Sequence, residues 1–366
     1  MAALRLTSLT WEELNLLMAE WGERPFRAKQ IWSWLYVKLA RSVAEMSDVP
    51  APLRARLLAE SLPLVPEVLA HRQSEDGTEK WLLGMVDGAK IEMVYIPDPD
   101  RGTLCLSSQV GCSLSCTFCH TGTQPLSRNL EAGEIVEQVT FARGELARRG
   151  LKVTNVVLMG MGEPLYNYDA VVKAVRILLN GTGLAIGTRK ITLSTAGVVP
   201  RLVQVGWDLG INMAISLHSV RDGVRDQLIP LNRKFNLAEL RQAILSFPLK
   251  HGRCITWEYL LLQGVNDSLK DAHELVAFLG DIPSKVNLIP FNPWPGSRYE
   301  PSSREATLRF QEIICRAGLV TVIRDSRGGD IGAACGQLRG EVCGVGGGTT
   351  VVPGSESSAQ SAIMPA

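Results

Sequence analysis

Three cysteines fall close together in the segment GCSLSCTFCH: Cys112, Cys116 and Cys119. Thiolates at C-x3-C-x2-C spacing can hold three irons of a [4Fe–4S] cluster, leaving the fourth iron open to a small molecule. Two other readings compete. A structural zinc ion takes four closed ligands, and His120, adjacent to Cys119, is poorly placed to be the fourth. Cys116 to His120 also spells the C-x-x-C-H of c-type haem attachment, which needs an exported protein. The N-terminus, MAALRLTSLTWEELNLL, meets a Glu-Glu pair before any apolar run of signal-peptide length. No stretch approaches the roughly 18 apolar residues of a membrane helix. The chain is therefore expected to be cytoplasmic, where thiols stay reduced. Its eight cysteines then point to ligation or catalysis before a disulfide framework.

Other positions can also do chemistry. Met-Gly-Met-Gly-Glu-Pro at 159–164 follows an apolar run that reads as a strand. Its glycines allow a backbone to approach a ligand closely, and Glu163 could accept hydrogen bonds from an ammonium group. The plainer reading is a tight strand-to-helix turn. Cys105 lies seven residues before Cys112, and Cys335 sits in the Gly-rich stretch GGDIGAACGQL. The commonest fate of a free cysteine is that of a small buried hydrophobe, which is the expectation for Cys254 and Cys315. Cys343 has no assignable role. In IEMVYI the two-residue period puts Glu92 on the same face as Val94 and Ile96. There desolvation would make a carboxylate more basic; the alternative is an edge-strand glutamate at the water line. Taken alone, His218 reads as a packed histidine and Asn292, before Pro293, as a turn residue.

These residues need a scaffold, and 366 residues at 39.9 kDa can supply one. A hydrophobic content of 46% and a charged content of 20% exclude wholesale disorder and collagen-like structure. Residues 1–65 read as a helical module. Thr10 and Glu13 have capping-box spacing, Pro25 opens a second helix, and PLRARLLAE forms a third. Over 66–100 the period changes to two, with turns at Asp76-Gly77 and Asp87-Gly88, which predicts an antiparallel β meander. From 101 to 340 short apolar runs alternate with helix-length segments. That is the pattern of an α/β fold with parallel βαβ units, whose functional residues lie at strand C-terminal ends. Residues 344–366 are Gly/Ser-rich and read as a disordered tail. The net charge of +1 means that a nucleic acid would have to be held by local basic patches. Three are visible: Arg143, Arg148, Arg149 and Lys152; Arg221, Arg225, Arg233 and Lys234; and Arg24, Arg27 and Lys29. Trp32 and Trp34 read as core rather than as base-stacking platforms.

The cysteine motif, with an aromatic before its third cysteine and a strand before its first, resembles the radical S-adenosylmethionine superfamily. RGTLCLSSQVGCSLSCTFC, MGMGEPLYNY, ITLSTAGVVP, ISLHS and GGDIGAACGQL further resemble, in the same order, the RlmN/Cfr family of bacterial adenine methyltransferases. His120 differs, since many relatives carry a smaller residue there. The resemblance runs from about Trp11 to Gln337 and implies a partial (β/α)6 barrel. It implies one [4Fe–4S] cluster on Cys112, Cys116 and Cys119, and two S-adenosylmethionine molecules per turnover. It places Gly162, Glu163, Ser194, Ser216, Leu217, His218 and Asn292 against that cofactor. It also reverses the bland reading of two cysteines. Adenine C2 is an electrophilic carbon, so direct methyl transfer to it is closed. In the implied scheme Cys335 takes the methyl group first, a deoxyadenosyl radical activates it, and the carbon adds to C2. Glu92 accepts the C2 proton, and Cys105 releases the product by forming a disulfide with Cys335. The implied partners are 23S ribosomal RNA, transfer RNA and a reducing electron donor, with no membrane and a monomeric state. The base must be unstacked to reach the site, and the helical module is expected to grip the RNA. The C8-methylating, antibiotic-resistance type is the runner-up, and a zinc- or haem-bearing RNA-binding protein is the reading from another class.

Overall fold

A computed structural model describes residues 3–340; Cys343 and the expected tail over 344–366 lie outside the described residues. The chain opens with α1 (Trp11–Glu20), α2 (Phe26–Tyr36) and α3 (Ala51–Glu60). The predicted capping box starts α1: the Thr10 hydroxyl accepts from the Glu13 N–H, and the Glu13 carboxylate accepts from the Thr10 N–H. Leu14, Met18, Ile31 and Trp32 are buried in the seam of the module. Trp34 sits at its rim, with its indole N–H donating to Asp48 and the Lys38 ammonium 3.6 Å above its ring.

Strands β1 (Glu67–Gln73), β2 (Glu79–Gly84) and β3 (Lys90–Asp98) form the expected meander, turning at the two Asp-Gly pairs. The meander is not a separate sheet. β3 continues antiparallel into β4 (Arg101–Cys105), and β4 is also the first parallel strand of the rest. A short ladder of β5 (Gln109–Val110) and β6 (Arg128–Asn129) brackets the cysteine loop. The chain then alternates through α4 (Ala132–Ala147), β7 (Asn155–Leu158), α5 (Tyr168–Leu179), β8 (Ile191–Thr195), α6 (Val199–Leu209) and β9 (Asn212–Ser216). After α7 (Asp222–Leu228) and α8 (Leu237–Leu245) come β10 (Ile255–Leu261), α9 (Leu269–Leu279), β11 (Ser284–Pro290), α10 (Arg304–Arg316) and β12 (Val320–Ile323).

The sheet order is β1-β2-β3-β4-β7-β8-β9-β10-β11-β12, parallel from β4 onward. Six strands, β4 to β11, are each followed by helix, and the ends of the sheet do not meet. This is the expected partial (β/α)6 barrel, with β12 added as a seventh parallel strand. β10 is buried at every position, as a central parallel strand covered on both faces must be.

The helical module is fastened to the barrel through α4. Arg5 pairs with Glu137 at 2.9 Å, Glu131 at 2.9 Å and Glu134 at 3.5 Å, and the Glu134 and Glu137 side chains are almost completely buried. Two expectations need correction. Cys315 is exposed on α10 rather than buried, and Cys254 is half-buried. Arg225 is no surface cation: it is 1% exposed and donates to the carbonyls of Ala196, Ser216 and Leu217.

Candidate active site at the strand C-terminal ends

Two cavities open side by side where the parallel strands end. The first, of about 170 Å³, is lined by Cys112, Cys116 and Cys119 together with Gly162, Glu163, Ser194, Ser216 and His218. The second, of about 290 Å³, is lined by Cys105, Val94, Ile96, Asp98, Arg101 and Asn292. Met159, Ile289, Arg324, Cys335 and Gly336 line both. Cys335 therefore stands on the wall between a pocket beside the cysteine motif and a pocket that reaches Cys105.

The cysteine loop is laced down from several sides. The Thr117 N–H donates to Leu228 O at 3.0 Å, the Trp294 indole donates to Phe118 O at 3.0 Å, and the His120 N–H donates to Gly336 O at 2.7 Å. The His120 ring stacks on Trp294 with centroids 4.7 Å apart, which gives the larger residue at this position its place. Burial pushes the Cys112 thiol up to about 12, and desolvation also raises Cys116 and Cys119. A bound cation reverses that, because a coordinating thiol is deprotonated outright, so loading the site releases protons. Among the described residues no three His, Cys, Asp or Glu side chains converge tightly enough to hold a single ion. The three thiols line one cavity, and the donor set fits a three-cysteine cluster.

Beside the Cys112 thiol, which its backbone bonds, Gly162 has φ +100 and lies so close to Gln109 that an added Cβ would meet the Gln109 side chain at 2.5 Å. Glu163, 3% exposed, accepts from the N–H groups of Leu165 at 3.0 Å and Ala196 at 2.8 Å. Burial raises its carboxyl, and those amides work against the rise. His218 has the left-handed φ of 57, the strained kind of geometry that clusters at functional sites. Its Nδ1 accepts from the Leu260 N–H at 3.0 Å, so the neutral ring carries its proton on Nε2. Burial pushes its pKa down to about 3, which keeps it neutral. Leu217 lines neither cavity and is fully buried; its main chain bonds Glu258 O and Arg225. Asn292 lines the second cavity and donates to Cys335 O at 3.3 Å.

Cys105 and Cys335 are both free thiols. Burial, and then the charge of Cys335, push Cys105 up to about 12. Arg324, just past β12, is held in its charged form first by Cys335, and Glu258 and Cys105 act in the same direction. Its Nη1 is 3.9 Å from Glu258 Oε2. Glu92 shares its face with Val94 and Ile96, as the two-residue period predicts, because β2 and β3 pair in unbroken register with Leu82 opposite Glu92 and Lys80 opposite Val94. It does not line the second cavity. It is 2% exposed, pairs with Lys80 at 2.9 Å and accepts from the Arg339 N–H at 2.7 Å. Its charge is met rather than left bare on an apolar face.

Sequence reading missed Arg324, Glu258, Gln109 and Lys80. For Arg324 a signal was available, a charged residue one position past a barrel strand; the others become visible only when distant segments meet. Of the basic patches, Arg149 is bound by Glu79 and Arg143 by Leu184 O, whereas Arg24, Lys29, Lys152, Arg233 and Lys234 stay exposed.

The chain matches two protein families: "Radical SAM superfamily" over residues 106–276, and "Ribosomal RNA large subunit methyltransferase N-terminal domain" over residues 4–62. It is 62% identical over 342 residues to the dual-specificity RNA methyltransferase RlmN of Magnetococcus marinus, covering 93% of this chain and 96% of that one. It is 51% identical to its counterpart from Acidiphilium cryptum, over 93% of this chain and 90% of that one. A radical SAM methyltransferase from Sphaerobacter thermophilus has the same fold, with a TM-score of 0.88, 42% identity, and coverage of 93% of this chain and 100% of that chain. With the three-cysteine motif on a partial barrel and a helical front module matched as well, the chain belongs to the RlmN family of radical S-adenosylmethionine RNA methyltransferases.

Proposed function

We propose that this methyltransferase modifies C2 of one adenosine in 23S ribosomal RNA and of the adenosine beside the anticodon in some transfer RNAs. The observation that carries the reading is Cys335, set on the wall between the cysteine-lined cavity and the Cys105 cavity. When bound, a [4Fe–4S] cluster with S-adenosylmethionine on its open iron supplies a radical able to remove hydrogen from a methyl group. The chain's residues do the rest. Cys112, Cys116 and Cys119 hold the cluster. Gly162, Glu163, Ser194, Ser216 and His218 seat the cofactor, with Glu163 accepting from its ammonium group. Of the other two positions the resemblance implies, Leu217 acts through its backbone between Ser216 and His218, and Asn292 stands in the neighbouring cavity. Cys335 acts as a thiolate nucleophile and takes a methyl group from the sulfonium, whose thioether leaves. Once that carbon is joined to C2, Glu92 accepts the C2 proton. Cys105, as thiolate, then attacks the Cys335 sulfur, and the bond from sulfur to the product carbon breaks with its electron pair on carbon. That carbon takes up a proton to complete the methyl group, and a disulfide remains; the unpaired electron left by the radical addition would return to the bound cluster. A reducing donor returns both thiols.

Residues 1–65 serve as the RNA-gripping module, with Arg24 and Lys29 on its exposed side, and 66–100 and 101–340 as the meander and the catalytic barrel. The enzyme works as a cytoplasmic monomer. Among the described residues no helix is long and apolar enough to cross a membrane. Mass spectrometry of nuclease-digested ribosomal and transfer RNA tests the regiochemistry. The expected product is 2-methyladenosine in both, and 8-methyladenosine would overturn the choice of C2.

A further inference from the structure

Lys80 occupies an unusual place for a lysine. It is the second residue of β2, with a side chain only 9% exposed, and its ammonium reaches two groups at once. One is Glu92 Oε1 on β3, at 2.9 Å; the other is the carbonyl of Gly332, at 3.0 Å, in the loop that carries Cys335. The second oxygen of Glu92 accepts from the N–H of Arg339, at the far end of the same loop, at 2.7 Å. The Glu92 main chain is fixed as well. Its N–H donates to Met161 Sδ at 3.3 Å, and its carbonyl accepts from Ser107 Oγ at 2.6 Å.

The meander holds the loop at further points. Ser74 Oγ donates to Asp330 at 2.6 Å, the Gly328 N–H donates to Asp76 at 3.0 Å, and Arg327 donates to Pro97 O at 2.6 Å. Gly328, at φ +63, packs so closely on Thr78 that a Cβ would stand 2.8 Å from that side chain. A buried Lys–Glu pair is a poor way to make a sheet stable, since apolar residues of similar volume serve as well or better. Its presence beside a reactive loop points to function.

We infer that Lys80 is a positioning residue: its ion pair ties Glu92 to the Cys335 loop, so that proton capture by Glu92 loosens the loop. The inference rests on the reading of Glu92 as proton acceptor. When Glu92 takes the C2 proton, its charge disappears, the ion pair with Lys80 is lost, and the Arg339 amide faces a neutral, weaker acceptor. That step comes immediately before Cys335 must meet Cys105. The clasp therefore opens when the loop has to move.

The test compares K80M, K80R and E92Q in the cluster-loaded enzyme with transfer RNA. K80M is expected to lose RNA methylation about 100-fold, the lower range for removing a proton-transfer partner. It is also expected to keep methyl transfer onto Cys335, to accumulate RNA joined covalently to protein, and to have its pH–rate profile displaced to higher pH. A buried carboxylate without its counter-cation holds its proton more tightly. K80R, which keeps the charge, should retain the wild-type profile. Limited trypsin cleavage at Arg327 and Arg339 without RNA should be faster in K80M than in wild type.

An unchanged pH profile with both half-reactions reduced in parallel would mark Lys80 as merely structural and overturn the inference. So would unaltered trypsin cleavage in K80M, or a K80R profile displaced like that of K80M. If K80M does not fold, K80R and its profile decide. Normal turnover by E92Q would instead refute Glu92 as proton acceptor, leaving the trypsin result to judge the clasp alone.

Discussion

Cys105 and Cys335 share chemistry but not surroundings. Cys335 is exposed and can meet cofactor or RNA, whereas Cys105 is pushed up to about 12 by burial and by the neighbouring thiol. The thiolate is the reactive form, so the sign is clear: near neutral pH Cys105 is a thiol, and its thiolate fraction grows as pH rises towards 12. Alkylation of the Cys105 peptide, followed by mass spectrometry, should accelerate about tenfold per pH unit from pH 7 to 10. A plateau below pH 9 would contradict it. The cluster cysteines were legible from spacing alone, because three thiols on a short loop can serve one metal centre wherever the loop goes. For Glu92 the two-residue period gave only the face, and the proposed role came by resemblance. Strand periodicity gave that face correctly as that of Val94 and Ile96, but not its partners, Lys80 and the Arg339 amide, which come from another strand and a distant loop.

The elements divide in the same way. Helix starts were readable because caps are local: Thr10 and Glu13 form the predicted box. The Asp-Gly turns of the meander were readable for the same reason, since φ > 0 is demanded there and Gly77 and Gly88 supply it. What was not readable is the joining of the meander to the barrel through β3 and β4, because register between strands is a long-range property. The docking of the helical module on α4 was equally invisible in the sequence. Arg5 stands 126 to 132 residues from the carboxylates it bonds. Removing one partner of a buried ion pair typically costs about 3–5 kcal/mol. Arg5→Met should therefore lower the denaturant midpoint by a stability loss of about that size. A loss within about 0.5 kcal/mol, the range of ordinary surface substitutions, would show that the interface is held by its apolar contacts alone.

In the whole molecule, each candidate site position belongs to a different part of the chain, and the barrel brings them to one end. Cys105 ends β4, Ser194 lies in β8, Ser216 ends β9, Asn292 follows β11 and Arg324 follows β12. The alternation of strand and helix announced this arrangement, because parallel strands must all present the same end. The two-cavity layout was not announced. It depends on the C-terminal loop folding back across the sheet to place Cys335 between the cysteine-lined cavity and the Cys105 cavity, held there by the meander. The central claim is that the transferred carbon passes through Cys335, and isotope tracing tests it most directly. With S-adenosylmethionine bearing a trideuteromethyl group, the Cys335 peptide should first gain all three deuteriums. The methyladenosine released from RNA should then retain two of the three, because one is removed before the carbon reaches the base. Methyladenosine that keeps all three deuteriums, formed without any label appearing on Cys335, would contradict the claim.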